Sequence, residues 1–423
     1  MSPKHPERLG KRSRSRRSKG IGQGPDTSCP LPEKTLEAAP SQRRPTRRVH
    51  VVSGRVECPE SLHLAACLQR FLSEDGCVFV PSREEADIIV LNGCERIAET
   101  PEVVAALLHF ATRHPEKTVL CTGCVPRAVA GKKHPANFFL VPFWKLVRQP
   151  SLIGPAMGFS SSFALLPKDD IFHGCFPLEE HYPGNPQPEE VALLTVGSGC
   201  LGACTFCTIR RGRGKVRSVP LNEMIEDARA ALNRGSFRFV LIADDAGCWG
   251  LDLGLDLSDL LTSLAALSSQ VRFFIRPMNP NHFLRLYERI VPLMPRIDCI
   301  YLPLQSASDR ILGLMRRGHT AQPVLERVQQ LRSAHPHLTF KTDFIVGFPS
   351  ETREEFRASV HAAQLFHHAS FHRFLGYPGT VAAGLPDKVP EEEIDLRVEV
   401  CRRLGFTIVD PSTYAYDLEG DTP

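Results

Sequence analysis

The stretch Gly197-Ser-Gly-Cys200-Leu-Gly-Ala-Cys204-Thr-Phe-Cys207-Thr-Ile-Arg-Arg-Gly-Arg-Gly214 directly follows an apolar, β-rich run, Val191-Ala-Leu-Leu-Thr-Val196. The run reads as a strand and the glycines as a tight loop at its exit. The three cysteines are spaced C-x3-C-x2-C, so one compact loop can turn three thiolates toward a common centre. That donor set suits an iron–sulfur cluster held by cysteine sulfur. A structural zinc site wants four protein ligands, and no fourth Cys or His stands close by in the sequence. Three protein ligands on a four-iron core leave one iron open to an exchangeable group.

Further along, Tyr301-Leu-Pro-Leu-Gln-Ser306, Met315-Arg-Arg317, Thr342-Asp-Phe-Ile-Val-Gly-Phe-Pro349 with Glu351-Thr352, and Tyr377-Pro-Gly-Thr380 follow in order. Together with the cysteine triad, these segments resemble the methylthiotransferases of the radical S-adenosylmethionine (SAM) superfamily. The resemblance extends from Arg48 to Gly405. Ala243-Asp-Asp-Ala-Gly-Cys-Trp-Gly250 and Met278-Asn-Pro280 are most similar to the branch that modifies threonylcarbamoyladenosine in tRNA. The resemblance implies a 4Fe–4S cluster on Cys200, Cys204 and Cys207, with SAM on its open iron. Asp244 and Asp245 would take the amino group of SAM, and Gln305, Ser306 and Arg317 would position its remainder. It also implies an auxiliary 4Fe–4S cluster that presents sulfur, a second SAM as methyl donor, and an electron donor such as a flavodoxin or ferredoxin. The substrate would be the tRNA anticodon loop, methylthiolated at C2 of N6-threonylcarbamoyladenosine.

Cys94, after Ile89-Val-Leu-Asn-Gly93, and Cys124, after Leu120-Cys-Thr-Gly123, match two of the family's auxiliary ligands. Gly54 stands where the family places the remaining cysteine, and Cys58 lies four residues later, still before a helix. Two readings stay open: Cys58 substitutes as the ligand, or the second cluster is incomplete. Cys67, Cys77 and Cys299 lie within or beside core elements and read as small hydrophobes, and Cys121 as a strand residue.

The rest of the chain is organised around these motifs. Alternation of strand and helix between residues 48 and 147 predicts a parallel α/β sheet of the flavodoxin-like kind, with Leu64, Leu68, Phe71 and Leu72 on one helical face. Longer alternation over residues 191–405 predicts six β/α units, resembling a partial TIM-like barrel open at one side. In such a barrel, Cys200, Asp244, Asp245, Gln305 and Ser306 fall at carboxyl ends of strands, where barrel sites are built. Residues 148–190 read as a linker whose His173 and Cys175 are packing or surface residues. Residues 406–423 read as a short tail without the small β-barrel RNA-binding (TRAM) module that family members usually append.

Charge is uneven along the 423 residues. Residues 1–48 carry thirteen Lys/Arg against four Asp/Glu, a net +9, which leaves −5 on the remainder of a chain with formal charge +4. A segment so basic and poor in apolar residues predicts a disordered arm over residues 1–47, either a solvated tail or a phosphate-contacting arm. The run Arg210-Arg-Gly-Arg-Gly-Lys-Val-Arg217 beside the cysteine loop suits phosphate contact with a folded RNA, or else a solvated loop. No apolar run approaches the roughly 20 residues that span a bilayer, and no secretory signal opens the chain. Fourteen cysteines in a chain of this size then read as metal ligands and core thiols in a reducing, cytoplasmic setting. Three alternatives remain: a ribosomal-protein methylthiotransferase, another radical SAM enzyme without sulfur transfer, and an inactive RNA-binding relative.

Overall fold

A computed structural model describes residues 46–55, 59–94, 96–97, 99–124, 133–148, 152–154, 157–159 and 190–416. Cys58, His173, Cys175 and nearly all of the basic arm and the 148–190 linker lie outside the described residues.

Five strands open the fold: β1 (Arg48–Arg55), β2 (Val78–Phe79), β3 (Ile88–Gly93), β4 (Thr118–Gly123) and β5 (Phe138–Pro142). All pair in parallel, in the order β2-β1-β3-β4-β5. This is the flavodoxin-like order expected from the sequence. Strand β3 is buried along its whole length because a helix covers each face of the sheet. Ile88 and Val90 pack with Leu64, Leu68, Phe71 and Leu72 of helix Pro59–Glu74. Ile89 and Leu91 point the other way, to Val104 and Leu107 of helix Thr100–Arg113. The period-two alternation of a strand thus decides which helix each side chain meets.

The second sheet contains β6 (Val191–Thr195), β9 (Arg238–Ile242), β10 (Arg272–Arg276), β11 (Ile297–Tyr301), β12 (Thr339–Val346), β13 (His368–Arg373) and β14 (Thr407–Val409). A small hairpin of β7 (Gly197–Ser198) and β8 (Arg217–Ser218) interrupts the series and closes the cysteine loop. All pairs of the large sheet are parallel and consecutive, and β6 and β14 form its two edges. The result is an open, partial barrel with one strand more than the six expected. Phe239 and Phe273 lie in the layer beneath the helices, whereas Val240, Ile242 and Phe274 form a smaller cluster on the other face of the same strands.

The Glu351-Thr352 motif has a local structural use. Thr352 and Glu355 form a reciprocal capping box on helix Arg353–Ala363. Glu355 also accepts from Ser308 Oγ at 2.7 Å and Arg310 Nη2 at 2.6 Å, tying that helix to the one that follows β11.

Of the short tail expected after Phe406, residues up to 416 form two strands. Strand β14 extends the barrel sheet, and β15 (Ala415–Tyr416) returns to run antiparallel to β1, with Gly54 opposite Tyr416. The Tyr416 hydroxyl accepts from the Cys94 N–H at 3.0 Å and shares a hydrogen bond with Thr100 Oγ1 at 2.7 Å. The last described residues therefore lock onto the cysteine-bearing edge of the first sheet.

Two outcomes follow from this packing. Tyr416→Phe leaves a buried N–H and hydroxyl short of a partner and should lower unfolding free energy by about 1–3 kcal/mol in denaturant titration. The Arg310 hydrogen bond, aided by the Thr352 N–H and Ser308, holds the Glu355 carboxyl at about 2, below its ordinary 4.5. Its contribution is complete above pH 4.5 and lost as pH falls toward 2, so Glu355→Gln should flatten the fall in melting temperature across that window.

Candidate metal centre and substrate cavity

The cysteine loop leaves β7 through Gly199, whose φ is +81°. A Cβ there would lie 2.2 Å from the Lys215 carbonyl oxygen, so only glycine lets the two sides of the loop meet. The Gly199 N–H donates to Asp244 Oδ2 at 2.7 Å, and the Gly202 N–H donates to Cys200 Sγ at 3.1 Å. Distant motifs brace the remainder. Thr205 donates through its N–H to Met315 O at 3.1 Å and through its hydroxyl to Leu314 O at 2.9 Å. Thr205 O in turn accepts from the Ala382 N–H at 2.9 Å, just past the Tyr377–Thr380 motif. Arg317 Nη1 reaches Cys204 Sγ at 3.3 Å while its Nη2 donates to Pro303 O at 2.6 Å.

Cys200, Cys204 and Cys207 line one cavity of about 330 Å³ at the carboxyl ends of the barrel strands. Among the described residues, the ligand atoms of Cys200, Asp245 and Cys248 lie within 4.8 Å of one another, a set that takes in one cysteine of the triad. Three thiols on one loop, with no fourth protein ligand from that loop, suit a multi-iron core that leaves one iron open. Burial pushes the Cys207 thiol up to about 12, with Cys204 and Cys200 adding to the rise. A cationic metal core would favour the ionised form of that thiol. The donor set fits a 4Fe–4S cluster.

Of the residues expected to hold SAM, Asp244, Asp245, Gln305 and Arg317 line this cavity. Asp244 has both oxygens engaged, one by Gly199 and the other by Arg213 Nη1 at 2.9 Å. Asp245 is 4% exposed and receives the N–H groups of Gly247 at 3.0 Å and Asn279 at 3.1 Å, with His282 Nδ1 at 3.0 Å from its other oxygen. Burial pushes its carboxyl up, but His282 and these N–H groups outweigh that and hold it below the ordinary range. Gln305 sits at φ 77°, a left-handed conformation costly for a side chain of its size, between the Asp343 carbonyl and the Ile345 N–H. Ser306 is fully buried and accepts from the Ser308 N–H at 3.1 Å, shaping the turn from outside the cavity lining.

The auxiliary candidates Cys94 and Cys124 line the same cavity. They leave adjacent strands β3 and β4, and the Cys124 N–H donates to Gly93 O at 2.8 Å. A Cβ at Gly54 would stand 2.3 Å from Ile97 Cδ1 and 3.5 Å from the Tyr416 ring, so that position is filled by its present neighbours. Cys67 and Cys299 are buried, Cys77 is half-buried beside the first helix, and Cys121 lies inside β4 with its thiol pushed up by burial.

Within the basic run after the loop, Arg210, Lys215 and Arg217 are exposed, but Arg213 is withdrawn from any phosphate-contacting surface. Arg213 is 3% exposed and points into the site. Its Nε donates to Cys124 Sγ at 2.7 Å, its Nη1 to Asp244, and its guanidinium stacks 4.7 Å above the Phe143 ring. Arg211 bonds to Pro378 O, and Arg210 reaches Gly202 O at 3.3 Å. Burial pushes the Cys124 thiol up to about 12, and Arg213 opposes that rise.

The cavity also contains residues to which sequence reasoning gave no role. Asp343 bonds the Tyr301 hydroxyl and lies 3.3 Å from His372 Nε2, and Arg96 and Arg276 face the same space. Tyr301 and Asp343 stood inside recognised motifs without an assignment. His372 and Arg96 had no local signal, because they arrive from β13 and from the other sheet.

Arg213→Ala strands a buried carboxylate, and breaking such a pair costs about 3–5 kcal/mol. Thermal unfolding should show that loss, with reduced iron uptake at the Cys94–Cys124 corner. Arg213→Lys should restore part of the stability but not both contacts, since an ammonium lacks the two-pronged geometry.

The Radical SAM superfamily model matches residues 194–363, and the model described as "Uncharacterized protein family UPF0004" matches residues 52–137. A tRNA-2-methylthio-N(6)-dimethylallyladenosine synthase of Chlorobium phaeobacteroides is 30% identical over 348 residues, covering 78% of this chain and 75% of its own. Its Aquifex aeolicus namesake is 28% identical over 341 residues, 76% and 74% of the two chains. A "Probable threonylcarbamoyladenosine tRNA methylthiotransferase" of Pyrococcus horikoshii is 27% identical over 365 residues, 79% of each. The superfamily implies a 4Fe–4S cluster with SAM, and methylthiotransferases carry an additional auxiliary cluster. With a cysteine loop and a second thiol pair opening on one cavity, and relatives of this similarity and coverage, the chain belongs to the radical SAM methylthiotransferase family, and it is an enzyme.

Proposed function

We propose that this enzyme adds a methylthio group to C2 of N6-threonylcarbamoyladenosine in the anticodon loop of tRNA. The charge of the cavity carries the reading. A threonylcarbamoyl group brings a carboxylate, a hydroxyl and amide groups, and Arg96, Arg276, His372, Tyr301 and Asp343 face the space that would receive them. An apolar dimethylallyl group would desolvate those side chains without pairing them. The names of the Chlorobium and Aquifex relatives favour that second substrate.

Cys200, Cys204 and Cys207 would hold the radical cluster, and Cys94 and Cys124 the auxiliary one, with Cys58 as the candidate third ligand outside the described residues. When bound, the reduced cluster and SAM supply a carbon-centred radical able to take hydrogen from an unactivated C–H bond. The protein's residues bind and orient. Asp245, kept ionised by its N–H donors, suits the ammonium of SAM, and Arg317 sets positive charge against Cys204. The left-handed backbone at Gln305 turns that residue into the cavity. Arg213 links the Cys124 corner to Asp244, fixing the distance between the sulfur-presenting and hydrogen-removing halves. An unpaired, single-stranded adenosine can be turned into such a cavity, which an intact duplex cannot enter.

Two measurements test the proposal. Anaerobically reconstituted protein should bind about eight irons per chain, falling to about four with Cys58→Ala if Cys58 is a ligand and to about four with the cysteines of the radical loop changed to alanine. Nucleoside analysis of tRNA from cells lacking the gene should show threonylcarbamoyladenosine without its methylthio group. Loss of the modification from dimethylallyladenosine instead, or from neither, refutes the assignment.

A further inference from the structure

One more thiol reaches the site without belonging to either proposed cluster. Cys248 ends the 3-10 turn Ala246–Cys248 that follows β9 and is completely buried. Its Sγ lies 3.4 Å from Asp245 Oδ2 and 3.6 Å from His282 Nδ1. The same Asp245 Oδ2 is 3.0 Å from His282 Nδ1 and 3.8 Å from Cys200 Sγ. The ligand atoms of Cys200, Asp245 and Cys248 all fall within 4.8 Å of one another.

We propose that Cys200, Asp245 and Cys248, with His282 set against the latter two, form a site for a single thiophilic divalent cation such as Zn²⁺, filled only while the radical cluster is absent, because both need the Cys200 sulfur. Tetrahedral zinc separates its ligands by about 3.3 Å for nitrogen and oxygen, about 3.5 Å where one is sulfur, and about 3.8 Å for two sulfurs. The four distances above lie within about 0.3 Å of the values for their atom types, and the Cys200–Cys248 edge is shorter than 4.8 Å. Two thiolates and a carboxylate, with an imidazole beside them, also match the borderline softness of zinc.

The surroundings hold the ligands in place. Asp245 Oδ1 is taken by the Gly247 and Asn279 N–H groups, which aims Oδ2 at the other three side chains. Asn279 caps helix Pro280–Ile290 by accepting from the Asn281 N–H at 3.1 Å, fixing the turn that carries His282. A Cβ at Gly247 would lie 2.5 Å from His282 Cβ, so the glycine permits the close approach of ring and turn. These second contacts orient ligands as they do at established metal sites. Asp245 is also proposed to meet SAM, so an ion here would exclude both cluster and cosubstrate. Loading of the enzyme then depends on the ratio of iron and sulfide to free thiophilic metal.

The test uses full-length protein stripped of iron, with Co²⁺ as the spectroscopic probe. A variant with Cys94, Cys124, Cys204 and Cys207 all changed to Ser should bind one Co²⁺ with the visible bands of tetrahedral cobalt and sulfur-to-cobalt charge transfer. Adding Cys248→Ala or His282→Ala should weaken binding by about tenfold or more. In the otherwise wild-type chain, Zn²⁺ should raise the melting temperature, and Cys248→Ala should remove most of that rise. Zn²⁺ bound beforehand should also slow iron incorporation until a chelator is added. A folded four-serine variant that binds no tetrahedral cobalt overturns the proposal. So does a zinc-dependent rise in melting temperature that Cys248→Ala and His282→Ala leave unchanged, which would assign the ion to the cysteine triad.

Discussion

A single buried guanidinium joins the two halves of this site. Arg213 arises from the barrel's cysteine loop, bonds a thiol of the first sheet and forms an ion pair with Asp244 at the end of β9. Both charged side chains of that pair are 3% exposed, so neither can fall back on water if the other moves. A buried charge without its partner is far costlier than the pair is favourable, and this asymmetry fixes the geometry. The loop, the strand end and the Cys124 edge are therefore set relative to one another by one side chain.

Other buried charges in the cavity follow the same pattern. Asp245 is opposed by His282, and Asp343 by His372 and the Tyr301 hydroxyl. These acids occupy the carboxyl ends of parallel strands or the positions just before them, where barrel sites are built. Burial alone would push each toward its neutral form. In Asp245 and Asp343 the neighbouring histidines and hydrogen-bond donors win instead. The cavity thereby keeps fixed negative groups beside Arg96, Arg276 and Arg317. Such a mixture suits a polar, zwitterionic ligand better than an apolar one.

The described C-terminal strands give the first sheet a second link to the barrel. Strand β14 adds an edge to the barrel sheet, and β15 pairs with β1 at the Cys94 corner, where Tyr416 supplies the hydroxyl that holds the Cys94 N–H. Their local sequence, Thr407-Ile-Val409 and Ala415-Tyr416, is too short to announce a strand. Only the open edges of two sheets give such fragments their hydrogen-bonding partners.

Period-two and helical patterning were enough to read both parallel α/β units, because burial on both faces demands long apolar strands and amphipathic helices. The C-x3-C-x2-C spacing was equally legible, since three thiols on one loop are a local property of the chain. Cys94 and Cys124 were legible too, as residues just beyond strand ends. What the linear chain could not disclose was convergence. Arg213 looked like one charge in a basic run, and Cys248 and His282, 34 residues apart, had no assigned role. The roles of these side chains depend on which strand ends and helix starts face each other across the barrel mouth. That is set by packing between distant elements, and no local pattern encodes it.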